Sequence, residues 1–225
     1  MEHKKTNIRL TICGLLLSLI LVALDQTIVS TAMPTLLQDF GRSDLVEGAT
    51  VYIIYFIVVL AMMPLFGKLS EWFGYKRLFL WGLVLFIIGS ALCGTAQSMN
   101  QLNLYRGLQA IGGGAVLPLV FLIIFNIVPT VKRRKLRGLL IILFGLTSAL
   151  GPLVGTFLTD LLTWRWIFYI NLPLGGLAYL WVLRSFHDEV AATNKLWKNW
   201  AGTVILIITS VTVVFWLEII IVYVG

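Results

Sequence analysis

The chain has 225 residues, 59% of them hydrophobic and only 12% charged, with a mean hydropathy of +0.95. That excludes an ordinary soluble domain, in which about a quarter of the residues are charged, and describes a protein surrounded by lipid. The net charge of +7 does not indicate a nucleic-acid partner, because no binding motif accompanies it and the cations cluster between apolar runs.

Seven runs are long enough for a helix to cross the bilayer, at about 10–33, 49–66, 78–96, 102–128, 138–159, 166–183 and 201–224. They are too long and continuous for barrel strands, so the sequence predicts an all-α membrane protein, a bundle of transmembrane helices. Met1–Arg9, Gly67–Arg77, Val131–Arg137 and Arg184–Lys198 hold fourteen of the seventeen Lys and Arg. The opposite loops hold Arg42 and Arg165. The positive-inside rule then predicts a multi-pass cell-membrane protein with a cytoplasmic N-terminus. The first apolar run is longer than a signal-peptide core and lacks a small-residue cleavage site, so it reads as an uncleaved helix. Cys13 and Cys93 are expected near opposite membrane faces, unpaired, and no metal or cofactor spacing is present. His3 and His187 are expected as solvated residues of basic loops.

The first span contains LVALDQTIVSTAMP, residues 21–34, with Asp25 far from either end. A carboxylate there costs at least about 2.5–3.5 kcal/mol, so intramembrane acids have a use or a partner. At the helical rise, Asp25 lies about 12 Å below the outer end of its span, and Arg106 about 6 Å below the outer end of the fourth. A long arginine side chain bridges that difference if the two helices are neighbours. Two states then compete: Asp25 ionised and paired, or protonated and alone. The alternative is a static pair that fixes helix packing.

The second span ends in GKLSEWFGYKRL, residues 67–78. Gly67 and Gly74 permit a tight turn and close helix approach. Glu71 is expected to accept hydrogen bonds from helix N-terminal amides or from Arg77, beside Lys76. The fourth span carries LNLYRGLQAIGGGAV, residues 102–116. Its glycines sit mid-span with no GK[ST] after them, so they are not a phosphate loop. No ATP site appears, which leaves an ion gradient or a partner as the energy source. In the fifth span, GLTSALGPLVGT, Gly151 and Gly155 let helix backbones meet, and Pro152 removes one donor and kinks the helix. In the sixth, WRWIFYINLPLG, Asn171 and Pro173 are expected to bend the helix and bond across the bundle. The hydrophilic stretch RSFHDEVAATNKLWKNW marks a boundary. The organisation read from it is a six-helix unit over 1–185, a cytoplasmic linker over 186–200 and a seventh helix over 201–225. Glu218 is expected to reach the interface near the outer end of that helix.

The order small, acidic, basic occurs as Gly67, Glu71, Lys76-Arg77 after span 2 and as Gly155, Asp160, Trp164-Arg165 after span 5, on opposite faces. A three-plus-three inverted repeat gives such a pattern, and so does chance.

Taken together, these stretches resemble the major facilitator superfamily, and within it the 14-helix drug–proton antiporter branch. GKLSEWFGYKRL is similar to the family's G-x-L-a-D-r-x-G-r-k-x-x-l loop, with Glu71 for the usual Asp and with Trp72 and Tyr75 at positions that are often basic. LNLYRGLQAIGGGAV resembles the helix-4 arginine motif, and GLTSALGPLVGT the helix-5 antiporter motif. LDQTIVSTAMP and WRWIFYINLPLG resemble signatures of the branch. The resemblance implies the N-terminal six-helix bundle of a transporter plus a seventh helix. It implies export of hydrophobic or cationic small molecules in exchange for protons, by alternating access, and no enzymatic activity. Asp25 and Arg106 would couple proton and substrate. Gly67, Glu71, Gly74, Lys76 and Arg77 would form a conformational latch, and Gly151, Pro152 and Gly155 would seal the cavity. Relatives continue with a second bundle, so the chain is expected to be a fragment or truncated product. The alternatives are a half-transporter acting as a homodimer, and a non-transporting remnant or assembly subunit.

Overall fold

A computed structural model describes residues 6–42, 45–187 and six scattered positions between 202 and 212. His3, the linker beyond residue 187, most of the expected seventh span and Glu218 lie outside the described residues. The elements are α1 (Ile8–Asp39), α2 (Leu45–Phe73), α3 (Tyr75–Thr95), α4 (Met99–Ile127), α5 (Thr130–Leu161), α6 (Trp166–Tyr169) and α7 (Asn171–Ser185). Among the described residues, six helical segments are long and apolar enough to cross a membrane, α6 and α7 together making the sixth, Trp166–Ser185.

Local chemistry sets several helix ends. The side chain of Asn7 accepts from the amide of Leu10 at 3.3 Å and starts α1. Ser98 does the same for α4, accepting from Gln101 N at 3.3 Å, while the Gln101 side chain accepts from Gln97 N at 3.0 Å. Gly74 stands at φ 83°, a left-handed conformation that separates α2 from α3 without a loop. Pro173 has no amide to offer the carbonyl of Tyr169, so the hydrogen-bond ladder of the sixth span is interrupted between α6 and α7, while Ile170 keeps helical angles of φ −59° and ψ −28°.

Two expectations about span ends need correction. Residues 67–78 are not a loop: helix runs on both sides of Gly74, and Gly67 lies within α2. A methyl group added at Gly67 would meet nothing within 4 Å, so this glycine makes no close helix approach. The cationic segment 131–137 is likewise helical and opens α5 directly after Pro129. Hydropathy locates the lipid-compatible part of a helix. Backbone hydrogen bonding carries the helix past it, where long cationic side chains snorkel to water.

The packing partners fall in two sets. α1 packs on α5 and α7, and α4 packs on α2 and α3. Exchanging the first three spans for the second three maps one set onto the other, which is the arrangement of an inverted repeat. The buried side chains form two clusters. One holds Leu15, Leu19, Val22, Phe86, Ala110 and Ile123 among others. The other holds Ile28, Val29, Leu36, Val51, Leu102 and Phe168 among others. Along α1 the boundary between them falls between Val22 and Ile28, and along α4 between Leu102 and Ala110. Asp25 and Arg106 occupy those two intervals.

The bundle is tied at both ends. At the cation-rich end, Asn7 N donates to the carbonyl of Ser185 at 3.0 Å, and the hydroxyls of Thr11 and Ser185 bond at 2.8 Å. His187 is half-buried there, its amide donating to the Thr6 hydroxyl at 3.2 Å, rather than fully solvated. At the opposite end, Asp39 Oδ2 accepts from Trp164 Nε1 at 2.8 Å and from Arg165 Nη1 at 2.9 Å. Arg165 Nη2 also donates to the carbonyl of Ala96 at 3.3 Å.

Candidate functional site

A polar layer divides the two apolar clusters. Asp25 from α1 is 1% exposed and Arg106 from α4 is 0% exposed. Their ion pair closes at 2.6 Å, from Arg106 Nη1 to Asp25 Oδ2. A buried ion pair holds only when other groups satisfy the remaining lone pairs, and here they do so around the carboxylate. Asp25 Oδ1 accepts from Gln109 Nε2 at 2.9 Å and from Asn171 Nδ2 at 3.2 Å. Gln109 Oε1 accepts in turn from Arg106 Nη1 at 2.7 Å. Asn171 Nδ2 also donates to Ser90 Oγ at 2.9 Å, and Ser90 donates to the carbonyl of Phe168 at 2.9 Å. Asn171 and the carbonyl of Phe168 thus face the same polar layer.

The guanidinium lies against aromatic faces. Its central carbon is 4.2 Å from the centre of the Tyr55 ring and 5.7 Å from that of Phe168. Such cation–π contacts strengthen where water is excluded. Two buried donors in this layer have no hydrogen-bond partner within the protein: Arg106 Nε and Arg106 Nη2. The site thus holds one carboxylate that accepts three hydrogen bonds and one guanidinium that donates through a single nitrogen. Among the described residues, no group of three or more His, Cys, Asp or Glu side chains comes together.

Close glycine packing positions the layer. On α5, Gly151 faces Thr27 of α1, and Gly155 faces Thr31 and the backbone of Ile28. The single Thr27 hydroxyl proton is shared between the carbonyl of Leu24 at 3.0 Å and that of Thr147 on α5 at 3.3 Å. Pro152 lies inside α5, beside this seam. Gly112 of α4 abuts the backbone of Phe86 and Gly82 on α3, while Gly113 and Gly114 admit Tyr55, Val59 and Met62 of α2. The mid-span glycines are packing surfaces.

The remaining expected residues gather at the cation-rich end, apart from the polar layer. Glu71 pairs with Lys68 of its own helix at 2.7 Å, not with Arg77. Lys68 is one turn away on α2, whereas the left-handed turn at Gly74 lies between Glu71 and Arg77. Lys76 Nζ donates to the carbonyl of Leu183 near the end of α7, at 2.8 Å.

Sequence reasoning did not single out Gln109, Ser90 or Tyr55. Gln109 could have been found, since it stands three residues after an intramembrane arginine, on the same helical face. Ser90 and Tyr55 carry no local signal: each is a common residue in an apolar helix, defined only by what packs beside it.

A sequence model of the Major Facilitator Superfamily matches residues 15–225. The chain is 45% identical over 215 residues to Multidrug resistance protein 3 of Bacillus subtilis, covering 96% of this chain and 41% of that protein. It is 36% identical over 188 residues to Multidrug transporter protein MdtP of the same organism, covering 84% and 34%. The chain therefore spans well under half the length of these curated relatives. In three dimensions it is similar to the crystal structure of the human organic anion transporter MFSD10 (TETRAN), with a TM-score of 0.69 at 18% identity over 90% of this chain and 54% of that one.

Proposed function

Because the chain belongs to the Major Facilitator Superfamily, a family of multi-pass membrane transporters and not enzymes, we propose that it is the N-terminal half of a proton-coupled multidrug exporter. Its cargo would be hydrophobic or cationic small molecules, exchanged for protons by alternating access. The observation that carries this reading is the buried Asp25–Arg106 pair, which joins the two packing sets of the bundle. Protonation of Asp25 removes the charge that holds Arg106. The contact is then lost from one state and kept in the other, which is the differential interaction that shifts a conformational equilibrium. A cationic substrate competes with Arg106 for the same carboxylate, so proton and cation exclude one another.

The other expected residues take supporting roles in this proposal. Gly151, Pro152 and Gly155 keep α5 pressed on α1 and close the bundle beside the pair. Gly74, Lys76 and Arg77, with Glu71 and Lys68, form the cytoplasmic end that engages or releases as the bundle tilts. Gly67, with open space over its Cα, is on a face free to receive another helix. The exposed apolar residues Ile141, Leu153, Phe157 and Leu161 make α5 a second such face. A second bundle on the same polypeptide is the occupant proposed; a second copy of this chain presents the same kind of surface. The membrane is the cell membrane, with the cation-rich end in the cytoplasm.

The test is Asp25→Asn in the intact transporter, or in this chain joined to a second bundle. The substitution keeps the side-chain shape, so the protein remains in the membrane. Dye export driven by a pH gradient in everted vesicles should fall to the background of empty vesicles. Export that persists with its pH dependence intact would reject the coupling role and leave the pair a packing device.

A further inference from the structure

A guanidinium and a carboxylate in contact commonly form two parallel N–H···O bonds, a fork that adds both strength and geometric specificity. The pair at the centre of this bundle does not. Only Nη1 of Arg106 reaches Asp25, and Nε and Nη2 stay buried without partners. Leaving such donors unmade in a buried site is costly, so something must prevent the fork from closing. The oxygen that a second prong would take, Asp25 Oδ1, is occupied by Gln109 Nε2 and Asn171 Nδ2.

The two amides are not equivalent. Asn171 touches only the carboxylate side of the pair, its amide nitrogen shared with Ser90. Gln109 touches both sides. Its Nε2 donates to Asp25 Oδ1 at 2.9 Å and its Oε1 accepts from Arg106 Nη1 at 2.7 Å, closing a ring around the 2.6 Å bond. Gln109 therefore supplies the donor that the second guanidinium nitrogen would otherwise supply. Its seat is narrow. A methyl group at Gly89 of α3 would strike the Gln109 backbone, and the Cys93 thiol donates to Gln109 Oε1 at 3.6 Å. The glutamine is also 0% exposed.

We propose that Gln109 is a positioning residue that wedges the Asp25–Arg106 pair into a single-bonded form, so that the pair can open. With the wedge removed, Oδ1 is free to take a second guanidinium nitrogen, and the forked pair resists exchange. The inference rests on the coupling role proposed above for Asp25 and Arg106. Its test reads the geometry of the resting pair and does not require transport.

The chain is reconstituted in liposomes with labelled aspartate and arginine. Solid-state NMR then measures distances from the Asp25 carboxyl carbon to the Arg106 side-chain nitrogens, assigned with Asp25→Asn. The unsubstituted chain should show one short carbon–nitrogen contact. Gln109→Met, similar in length but unable to bridge the pair, should show two. Asn171→Leu should still show one, because the glutamine remains. Two contacts in the unsubstituted chain overturn the proposal without recourse to any variant. A single contact in Gln109→Met overturns it as well, and so does a second contact that appears in Asn171→Leu alone. A transport assay that fails while these contacts behave as expected counts against the proposed function and leaves the wedge standing.

Discussion

Thr27 of α1 lies so close over Gly151 of α5 that its side chain fills the space a methyl group there would need. Gly155, one turn on, is covered in the same way by Thr31 and the backbone of Ile28. Gly151→Ala and Gly155→Ala should each destabilise the chain by about 1–3 kcal/mol, the usual range for overpacking. Gly145→Ala, on the same helix with open space over it, should leave stability unchanged or slightly raised. Thermal unfolding of the purified chain in detergent, followed by circular dichroism, separates the three.

The ion pair makes a prediction about asymmetry. Asp25→Leu strands a guanidinium that stays charged, so it should cost about 3–5 kcal/mol, as breaking a buried pair from one side does. Arg106→Met should cost less, because a stranded carboxyl can bind a proton and become neutral. The double variant should recover much of the loss, since both charges are gone. A denaturation midpoint for each of the four proteins completes the cycle. Equal losses in both single variants, with simple addition in the double, would show that the charges do not interact.

How much of this was legible in the sequence differs by residue. Asp25 and Arg106 stood out because a charge in hydrocarbon is expensive, and expense is visible in a string of letters. The six helices were legible for the same reason. Gln109 and Ser90 were not, since neutral polar side chains cost little enough to occur in apolar helices without a partner nearby. The pairing of Glu71 was misread because the expected partner lay across Gly74, and sequence spacing does not reveal the direction taken after a left-handed residue. The extra turns of α2 and α5 were missed because hydropathy ends where water begins, whereas a helix ends where its hydrogen bonds do.

Within one short segment, two glycines should respond with opposite signs. Gly74 holds φ 83°, which costs an L-residue about 1–2 kcal/mol. Gly67 is helical with nothing over it, and replacing such a glycine by alanine gains up to about 1 kcal/mol. Gly74→Ala should therefore lower the unfolding temperature and Gly67→Ala should raise it or leave it in place. If both lower it equally, the left-handed turn is not what makes Gly74 necessary.

Orientation is open to chemical labelling. Arg42 is exposed beyond α1 and Arg134 is exposed at the start of α5, at opposite ends of the bundle. In a background without Cys13 and Cys93, Arg42→Cys should react with a membrane-impermeant maleimide in intact cells. Arg134→Cys should react only after the membrane is opened. The reverse pattern would invert the proposed topology.

The ties at the two ends of the bundle have a mechanical meaning. α7 is fastened to α1 through Ser185 and to α3 through Lys76 at one end. At the other, Arg165 fastens α1 and α3 through Asp39 and Ala96. α1, α3 and α7 are thus braced like the legs of a frame, and they do not splay independently. The polar layer sits between the braces. A bond made or broken there cannot be absorbed by one helix sliding past the next. In the alternating-access reading it would act on the frame as a torque, and the frame would tilt as one piece. On the coupling role proposed for Asp25, a proton taken up at that one carboxylate would bear on both ends of the frame.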